Sequence, residues 1–330
     1  MTVRLRQLPP AVGARIRGLG STQPGRVVTN DDIAAAGVET TDSWIRDRVG
    51  IVSRRFAGPD ESLVDMAVDA GSKAVADAGL SPTDVDAVLV ATCTMPSPIP
   101  NAAAQVAQRI GVTAAPAYDL NAACASFCYG LGNAADMVRA GSARHVLVIG
   151  AEKLTDWVDP TDRSTCIIFA DGAGAVVVGV AAEGEEAGIG PVVAGSAGDL
   201  VDMILIADRE SFIVQEGQGV FRWATTKIAP IALRAVELAG LTLGDIDVLV
   251  PHQANLRIVE AVAKRIRAAG GRPDLVVADD IVRSGNTSSA SIPLALDHMR
   301  AEGRVRSGDV ALLVGFGAGL SYAGQVVVLP

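Results

Sequence analysis

Two side chains in this sequence have both the chemistry and the setting for nucleophilic catalysis. Cys124 lies in the run AYDLNAACASFCYGL (117–131), where strand and turn feed the start of a helix. A helix N-terminus carries about half a positive charge from its aligned peptide dipoles, which lowers a thiol pKa and favours the reactive thiolate. The segment alone leaves a second reading open, a small core residue in an Ala-rich helix, because cysteine is among the most buried residue types. The chain has only 3 histidines. His145 begins a strand after a polar turn and His298 sits late in an amphipathic helix, both structural or solvated settings. His252 differs. It follows the apolar run 248–250 inside PHQAN, at the C-terminal end of a strand, where open α/β sheets bind ligands.

Two glycine-rich segments flank this chemistry. FADGAGAVVVG (169–179) reads as a tight turn entering a strand, its glycines acting as packing devices. VGFGAGLSYAG (314–324) follows a strand and could aim backbone N–H groups at a developing oxyanion. Neither fits a dinucleotide fingerprint, which needs strand, glycines and helix with an acid downstream. Cys124 and Cys128 lie one helical turn apart, but no second ligand pair has zinc spacing, so no metal is expected.

The elements that must position these residues are written twice. Residues 74–86 read AVADAGLSPTDVD and residues 235–247 read AVELAGLTLGDID, 161 positions later. Each is a helix end closed by Gly79 or Gly240, then an acidic loop, then a β-rich run. The strand–turn–helix around Cys124 is matched by DDIVRSGNTSSASIPLAL (279–296), and HVLVIG (145–150) by DVALLVG (309–315). Three pairs in one order imply a duplicated domain, with halves near 1–180 and 181–330. The repeat aligns Cys124 with Asn286, so a pseudo-two-fold axis would bring two helix N-termini toward one site. Apolar runs alternate with helical patterns, the mark of an α/β sheet covered by helices. The unbroken runs VLVATC, HVLVIG and AVVVGV suit strands buried on both faces. Residues 61–79 form an amphipathic helix with Leu63, Met66, Ala67, Ala70 and Ala74 on one face. The expected architecture is a five-layered αβαβα sandwich.

Composition bounds the function classes. The 330 residues are 49% hydrophobic with a net charge of −9, ample for a core and contrary to general nucleic-acid binding, which needs broad phosphate neutralisation. No apolar run reaches the ~18 residues of a membrane span. The N-terminal stretch 1–18 carries Arg4, Arg6, Arg15 and Arg17 without an apolar run and cleavage site, so no secretory signal is expected. Four cysteines without framework spacing favour reduced thiols and a cytoplasmic location.

Taken together, TTDSWIRDRVGI (40–51), DLNAACASFCYGL (119–131), DPTDRST (159–165), FADGAGA (169–175), HQANLRI (252–258), GNTSSASIPLAL (285–296) and GFGAGL (315–320) resemble the β-ketoacyl-acyl carrier protein synthase III family of the thiolase superfamily. The resemblance covers nearly the whole chain and implies a thiolase-like fold. It also implies decarboxylative condensation of an acyl-CoA primer with malonyl-acyl carrier protein, a homodimer, and no cofactor beyond the coenzyme A thioester. Carried over residue by residue, it implies Cys124 as nucleophile, His252 and Asn286 completing a triad, and an oxyanion hole from the backbone N–H groups of Cys124 and Ala318. Trp44 would stack on the coenzyme A adenine, with Thr40, Arg48 and Arg163 around the nucleotide and Asn255 on the pantetheine arm. Ile99, from across a dimer interface, and Phe169 would shape the acyl pocket. Cys128 would be structural.

Three details depart from the family pattern. Ser126 stands where glycine is common, and is expected to narrow or polarise the path beside Cys124. Ala170 replaces a frequent glycine, and the segment 196–219, which caps the acyl pocket in relatives, is slightly short. An acidic carrier protein needs a basic docking face, expected from Arg257, Lys264 and Arg265 with Arg267 and Arg272. Alternatives are a starter-unit acyltransferase or ketosynthase of polyketide metabolism, and hydroxymethylglutaryl-CoA synthase, whose acidic Glu finds no place in TMPSPIP (94–100). A non-catalytic scaffold is the remaining class.

Overall fold

The computed structural model describes residues 12–330; the start of the arginine-bearing N-terminal stretch, with Arg4 and Arg6, lies outside them. Both copies of the sequence repeat fold alike, for the same local reasons. The helices Leu63–Asp77 and Gly217–Leu238 stop before Gly79 (φ 68°) and Gly240 (φ 73°), left-handed conformations that glycine adopts without a Cβ penalty. The next residue then donates back to the helix, Leu80 N to the Val75 carbonyl and Leu241 N to that of Val236, both at 3.1 Å. Ser81 with Asp84, and Thr242 with Asp245, form matching capping boxes in the acidic loops that follow.

Ten of the described strands make two five-stranded sheets of one topology, and four more pair as two separate two-stranded ribbons. In the first the order is Ala14–Thr22, Asp171–Val180, His145–Lys153, Ala87–Ala91, Ala117–Leu120. In the second it is Val193–Gly195, Tyr322–Val328, Val310–Phe316, Val248–Pro251, Val276–Val277. Each sheet has two antiparallel pairings at one side and two parallel ones at the other, in the same sequence. Parallel pairing points the C-terminal ends of these strands the same way, so the ends that carry His252 and the turn before Cys124 belong to equivalent edges of the two sheets.

Between the sheets lie the helices Ser126–Arg139 and Ser291–Ala301. Phe127, Leu131 and Val138 on the first and Ile292, Leu296 and Met299 on the second pack with strand residues of both sheets in one core. Phe127 and Leu131 are fully buried, each stabilising the fold by about 1.5–3 kcal/mol. Outside the first sheet lie Leu63–Asp77 and Ala102–Ile110, and outside the second Gly217–Leu238 and Leu256–Ala268. The result is helix, sheet, helix, sheet, helix.

The glycines of FADGAGA serve that packing. A Cβ on Gly174 would stand 2.7 Å from the Leu294 backbone nitrogen, so the strand and the central helix touch only because the side chain is absent. At Gly150 a Cβ would stand 2.4 Å from the Ser289 carbonyl oxygen. That close approach seats the start of the second central helix on the strand His145–Lys153.

Candidate active site

Cys124 sits two residues ahead of the helix Ser126–Arg139, in a turn folded by its own side chains. Ala123 has φ 48°, the Asn121 side chain accepts from the Ala123 N–H at 3.0 Å, and Ser126 Oγ accepts from the Ala122 N–H at 2.6 Å. Ser126 is therefore a local cap, fully buried and not among the residues lining the pocket. The expectation that it narrows or polarises the path beside Cys124 is corrected accordingly. The thiol also behaves differently from expectation. Burial pushes Cys124 up to about 12, against hydrogen bonds from Ser288 and its own backbone, with the Glu152 charge adding to the rise. Desolvation outweighs the helix terminus here.

His252 follows the strand Val248–Pro251, its N–H held by the Val314 carbonyl at 2.8 Å. Its ring meets Phe316 edge-on at 5.2 Å, and Nδ1 lies 2.7 Å from Ser291 Oγ. Burial pushes its pKa down to about 3, so the imidazole is neutral at physiological pH. In the tautomer where Ser291 Oγ donates to Nδ1, Nε2 carries the proton and remains for a ligand. Asn286 is tied to the other half of the chain: its N–H donates to the Ile168 carbonyl and its carbonyl accepts from the Ala170 N–H, both at 2.9 Å. Its Oδ1 accepts from the Ser288 N–H at 2.8 Å, which leaves the amide NH₂ as the end available to a ligand.

Cys124, His252, Asn286, Ala318, Phe169 and Asn255 all line one pocket of about 500 Å³. Gly317 approaches the nucleophile so closely that a Cβ there would lie 2.6 Å from the Cys124 nitrogen and 3.0 Å from its sulfur. Three of the four positive-φ residues other than glycine among those described, Ala123, Ser288 and Leu320, adjoin Cys124, Asn286 and the Ala318 turn. Backbone strain of about 1–3 kcal/mol per residue persists only where surroundings enforce it, and here it surrounds the pocket.

Comparison with known proteins follows this geometry. Residues 118–198 match the family described as 3-oxoacyl-[acyl-carrier-protein (ACP)] synthase III, and residues 236–329 match its C-terminal region. A β-ketoacyl-[acyl-carrier-protein] synthase III of Streptomyces coelicolor is 52% identical over 96% of this chain and 99% of its own. The chain belongs to the synthase III family. A mycobacterial β-ketoacyl-[acyl-carrier-protein] synthase III of Mycobacterium avium is 49% identical over 94% of each chain. Among solved structures, the priming β-ketosynthase of the R1128 polyketide pathway superposes with TM-score 0.94 at 42% identity, covering 98% of both chains. The synthase III of Aquifex aeolicus gives 0.90 at 36% identity, over 96% of this chain and 100% of that one. These neighbours share the thiolase-like layered fold described above.

In this synthase III the remaining sequence-derived positions fall into groups. The Arg163 and Arg48 guanidinium groups each lie over the Trp44 ring, 4.8 and 5.4 Å from its centroid. Arg163 also donates to the Glu39 carbonyl at 2.8 Å, next to Thr40, whose buried hydroxyl has no partner among the described residues. None of these four lines the pocket, but the Asn255 side chain donates to the Arg48 carbonyl at 3.3 Å and joins them to it. Phe169 is buried in the pocket wall, whereas Ile99 is 80% exposed and lines no part of the pocket within this chain. The segment 196–219 contributes Ile204, Leu205, Ile206 and Ile213 to the wall. Arg257, Lys264 and Arg265 are exposed on the helix Leu256–Ala268. Arg272 is not available to that face, being held by Asp247 and Asp274, and Arg267 donates to the Leu275 carbonyl.

Sequence reasoning missed Glu152, Cys93, Ser288 and Ser291. One signal was present for Glu152: a charged residue ends the apolar run HVLVIGA at the strand end facing the site. Gly317→Ala must push the Cys124 turn or the Ala318 turn aside, because its Cβ would meet backbone, so it should lower the melting temperature and slow acyl transfer to Cys124 by about 10²-fold or more, since an oxyanion donor is worth ~10²–10³ in rate. Circular dichroism with intact-mass kinetics measures both.

Proposed function

We propose that this synthase III condenses an acyl-CoA primer with malonyl-acyl carrier protein through a Cys124 thioester. The observation that carries the reading is the pocket lined jointly by a cysteine, a neutral histidine and an asparagine amide, beside the Gly317–Ala318 backbone. In the first half-reaction Cys124 Sγ attacks the primer carbonyl, whose oxygen accepts from the Cys124 and Ala318 N–H groups, and coenzyme A leaves. In the second, the malonyl thioester oxygen accepts from His252 Nε2 and the Asn286 amide. A neutral imidazole suits that role, because it donates to an enolate without having to give up its proton. Carbon dioxide departs, the enolate carbon attacks the acyl group, and Cys124 is released. No step is routed through a metal or redox group; coenzyme A enters as substrate. The Trp44, Arg48, Arg163 and Thr40 cluster is the proposed nucleotide subsite, with Asn255 leading from it to the pocket. The likeness to a priming ketosynthase of a polyketide pathway favours one second reading, loading of a starter unit for that kind of pathway.

The test is intact mass spectrometry with a panel of acyl-CoAs. Cys124→Ala should gain no acyl mass. His252→Ala and Asn286→Ala should still acylate but release carbon dioxide from malonyl thioester ~10²–10³ times more slowly. Equal loss of both half-reactions would mean that the site had collapsed.

Carrier-protein docking on the exposed Arg257, Lys264 and Arg265 face belongs to the same proposal. Positive charge there raises the association rate and weakens with salt. Arg257→Glu with Lys264→Glu should raise the apparent KM for malonyl-carrier protein and flatten its salt dependence, while acylation by acyl-CoA changes much less. An unaltered, salt-independent KM would remove this face.

A cytoplasmic homodimer completes the reading. The strand Ala117–Leu120 is an unpaired edge of the first sheet, with Tyr118 partly exposed on it. Ahead of it in the chain, before the helix Ala102–Ile110, Ile99 presents an apolar side chain to the surroundings. Ala117→Pro removes an N–H that points away from the neighbouring strand and should shift sedimentation toward the monomer; an unchanged sedimentation coefficient would argue against pairing along this edge.

A further inference from the structure

The residue after His252 turns away from the pocket. Gln253 is buried, and it does not line the cavity that His252 and Ala254 on either side of it do line. Its amide is spent on backbone from three places. Nε2 donates to the Pro251 carbonyl at 2.7 Å and to the Ala278 carbonyl at 3.4 Å, and Oε1 accepts from the Ile281 N–H at 3.1 Å. Two of these partners can only accept and the third can only donate, so they fix which end of the amide is nitrogen. Among side chains of this length, an ionised glutamate lacks the donor and methionine lacks both ends.

Pro251 ends the strand that delivers His252, and Ile281 begins the short helix Ile281–Ser284 that delivers Asn286. That helix is closed by the Gly285 N–H donating to the Ile281 carbonyl at 3.1 Å, and Asn286 follows directly. The Gln253 N–H also donates to Ser291 Oγ at 3.4 Å, a contact that favours the tautomer in which Ser291 donates to His252 Nδ1. One residue therefore touches the supports of both groups that meet the malonyl thioester oxygen. The turns of the acylation step are closed by their own neighbours instead. Asn121 and Ser126 hold the Cys124 turn, and the Gly317 N–H donates to the Ser321 carbonyl at 3.0 Å.

We propose that Gln253 is a positioning residue for the decarboxylation half-reaction, holding His252 Nε2 and the Asn286 amide at the spacing that one thioester oxygen needs. This deepens the condensing reaction proposed above and rests on it. Gln253 touches no substrate and moves no proton. Two donors aimed at one oxygen act together only if both reach it as its charge grows, and a misplacement of about 1 Å can cost about 10²-fold in rate. The demand falls on the enolate more than on bound malonyl thioester, so loss of the tie should appear in kcat and not in KM.

Two half-reactions measured on one protein test this: acylation of Cys124 by intact mass, and carbon dioxide release from malonyl-CoA. Gln253→Met keeps the length of the side chain and removes its three hydrogen bonds. It should slow carbon dioxide release by about 10- to 10²-fold at unchanged KM, while acylation changes much less. Gln253→Glu has a further signature. Its carboxyl, once protonated, donates through one oxygen and accepts on the other, restoring much of the tie. Because burial raises a carboxyl pKa, its carbon dioxide release relative to wild type at the same pH should climb from about pH 8.5 down to about 5.5. The charged pairs beside this segment, Asp280 with His298 and Asp279 with Arg304, are common to both proteins and cancel in that ratio. His252 stays neutral across this range, its pKa held down to about 3 by burial. Equal loss of both half-reactions, or a Gln253→Glu ratio that is flat with pH, overturns the proposal. If Gln253→Met loses its folded circular dichroism, the Gln253→Glu ratio carries the same comparison. A wild type that releases no carbon dioxide overturns the condensing reaction and this role together; a wild type that does, matched by Gln253→Met, overturns this role alone.

Discussion

The pocket exists because two backbone hydrogen bonds cross from one half of the chain to the other. Asn286 donates to Ile168 and accepts from Ala170, so a residue of the second half is built as a short parallel bridge onto a loop of the first. Everything the site needs hangs on that junction. It fixes the Asn286 amide, sets the start of the central helix Ser291–Ala301 with the Ser291 hydroxyl under His252, and brings Ser288 against Glu152. Arg54 supports it from behind. Fully buried, it donates to the Ile167 carbonyl at 2.6 Å and to Asn30 at 2.7 Å, with no carboxylate among its partners, and burial lowers its pKa to about 10. A charge held by carbonyls alone costs stability, and here it braces the loop that pairs with Asn286.

Much of this was legible in the chain because the information is local. Gly79 and Gly240 stop equivalent helices for the same steric reason, so the repeat reads directly as two sheets of one topology. The placement of His252 at a strand end and of Cys124 before a helix followed from apolar runs and small residues, and the order of the motifs supplied the family. What escaped was of another kind. The environment of Glu152 comes from residues 92–94, 152 and 288–289, three segments whose meeting no periodicity announces. The Cys124 thiol was misjudged because a helix terminus is visible in sequence while desolvation is not. Ser126 was misjudged because a one-residue difference from relatives does not say which way the hydroxyl turns. Arg272 looked available until its partners Asp247 and Asp274 folded around it.

Strain and polarity are distributed unequally across the molecule. The sheets and central helices are packed with alanine, valine and glycine at contact distances that exclude even a methyl group. The left-handed residues Ala123, Ser288 and Leu320 gather where the reacting groups lie. Interiors packed to this density transmit displacement instead of absorbing it, so the three turns are over-determined by their surroundings, and the pocket's polar ends stay aimed without a ligand present.

The pocket wall is made of two materials. One side is the rigid junction of strands and central helices; the other is the irregular stretch between Gly195 and Gly217, with two-residue strands and 3₁₀ turns supplying Ile204, Leu205, Ile206 and Ile213. Side chains on the rigid face are shared between catalysis and the core, so exchanging them disturbs both. Those on the irregular stretch meet the pocket with fewer commitments elsewhere, and Leu205 and Val214 already lie partly in the open. Diversification among descendants of such a fold is therefore channelled: the choice of acyl group can drift through this one ribbon while the bond-making apparatus behind it stays fixed.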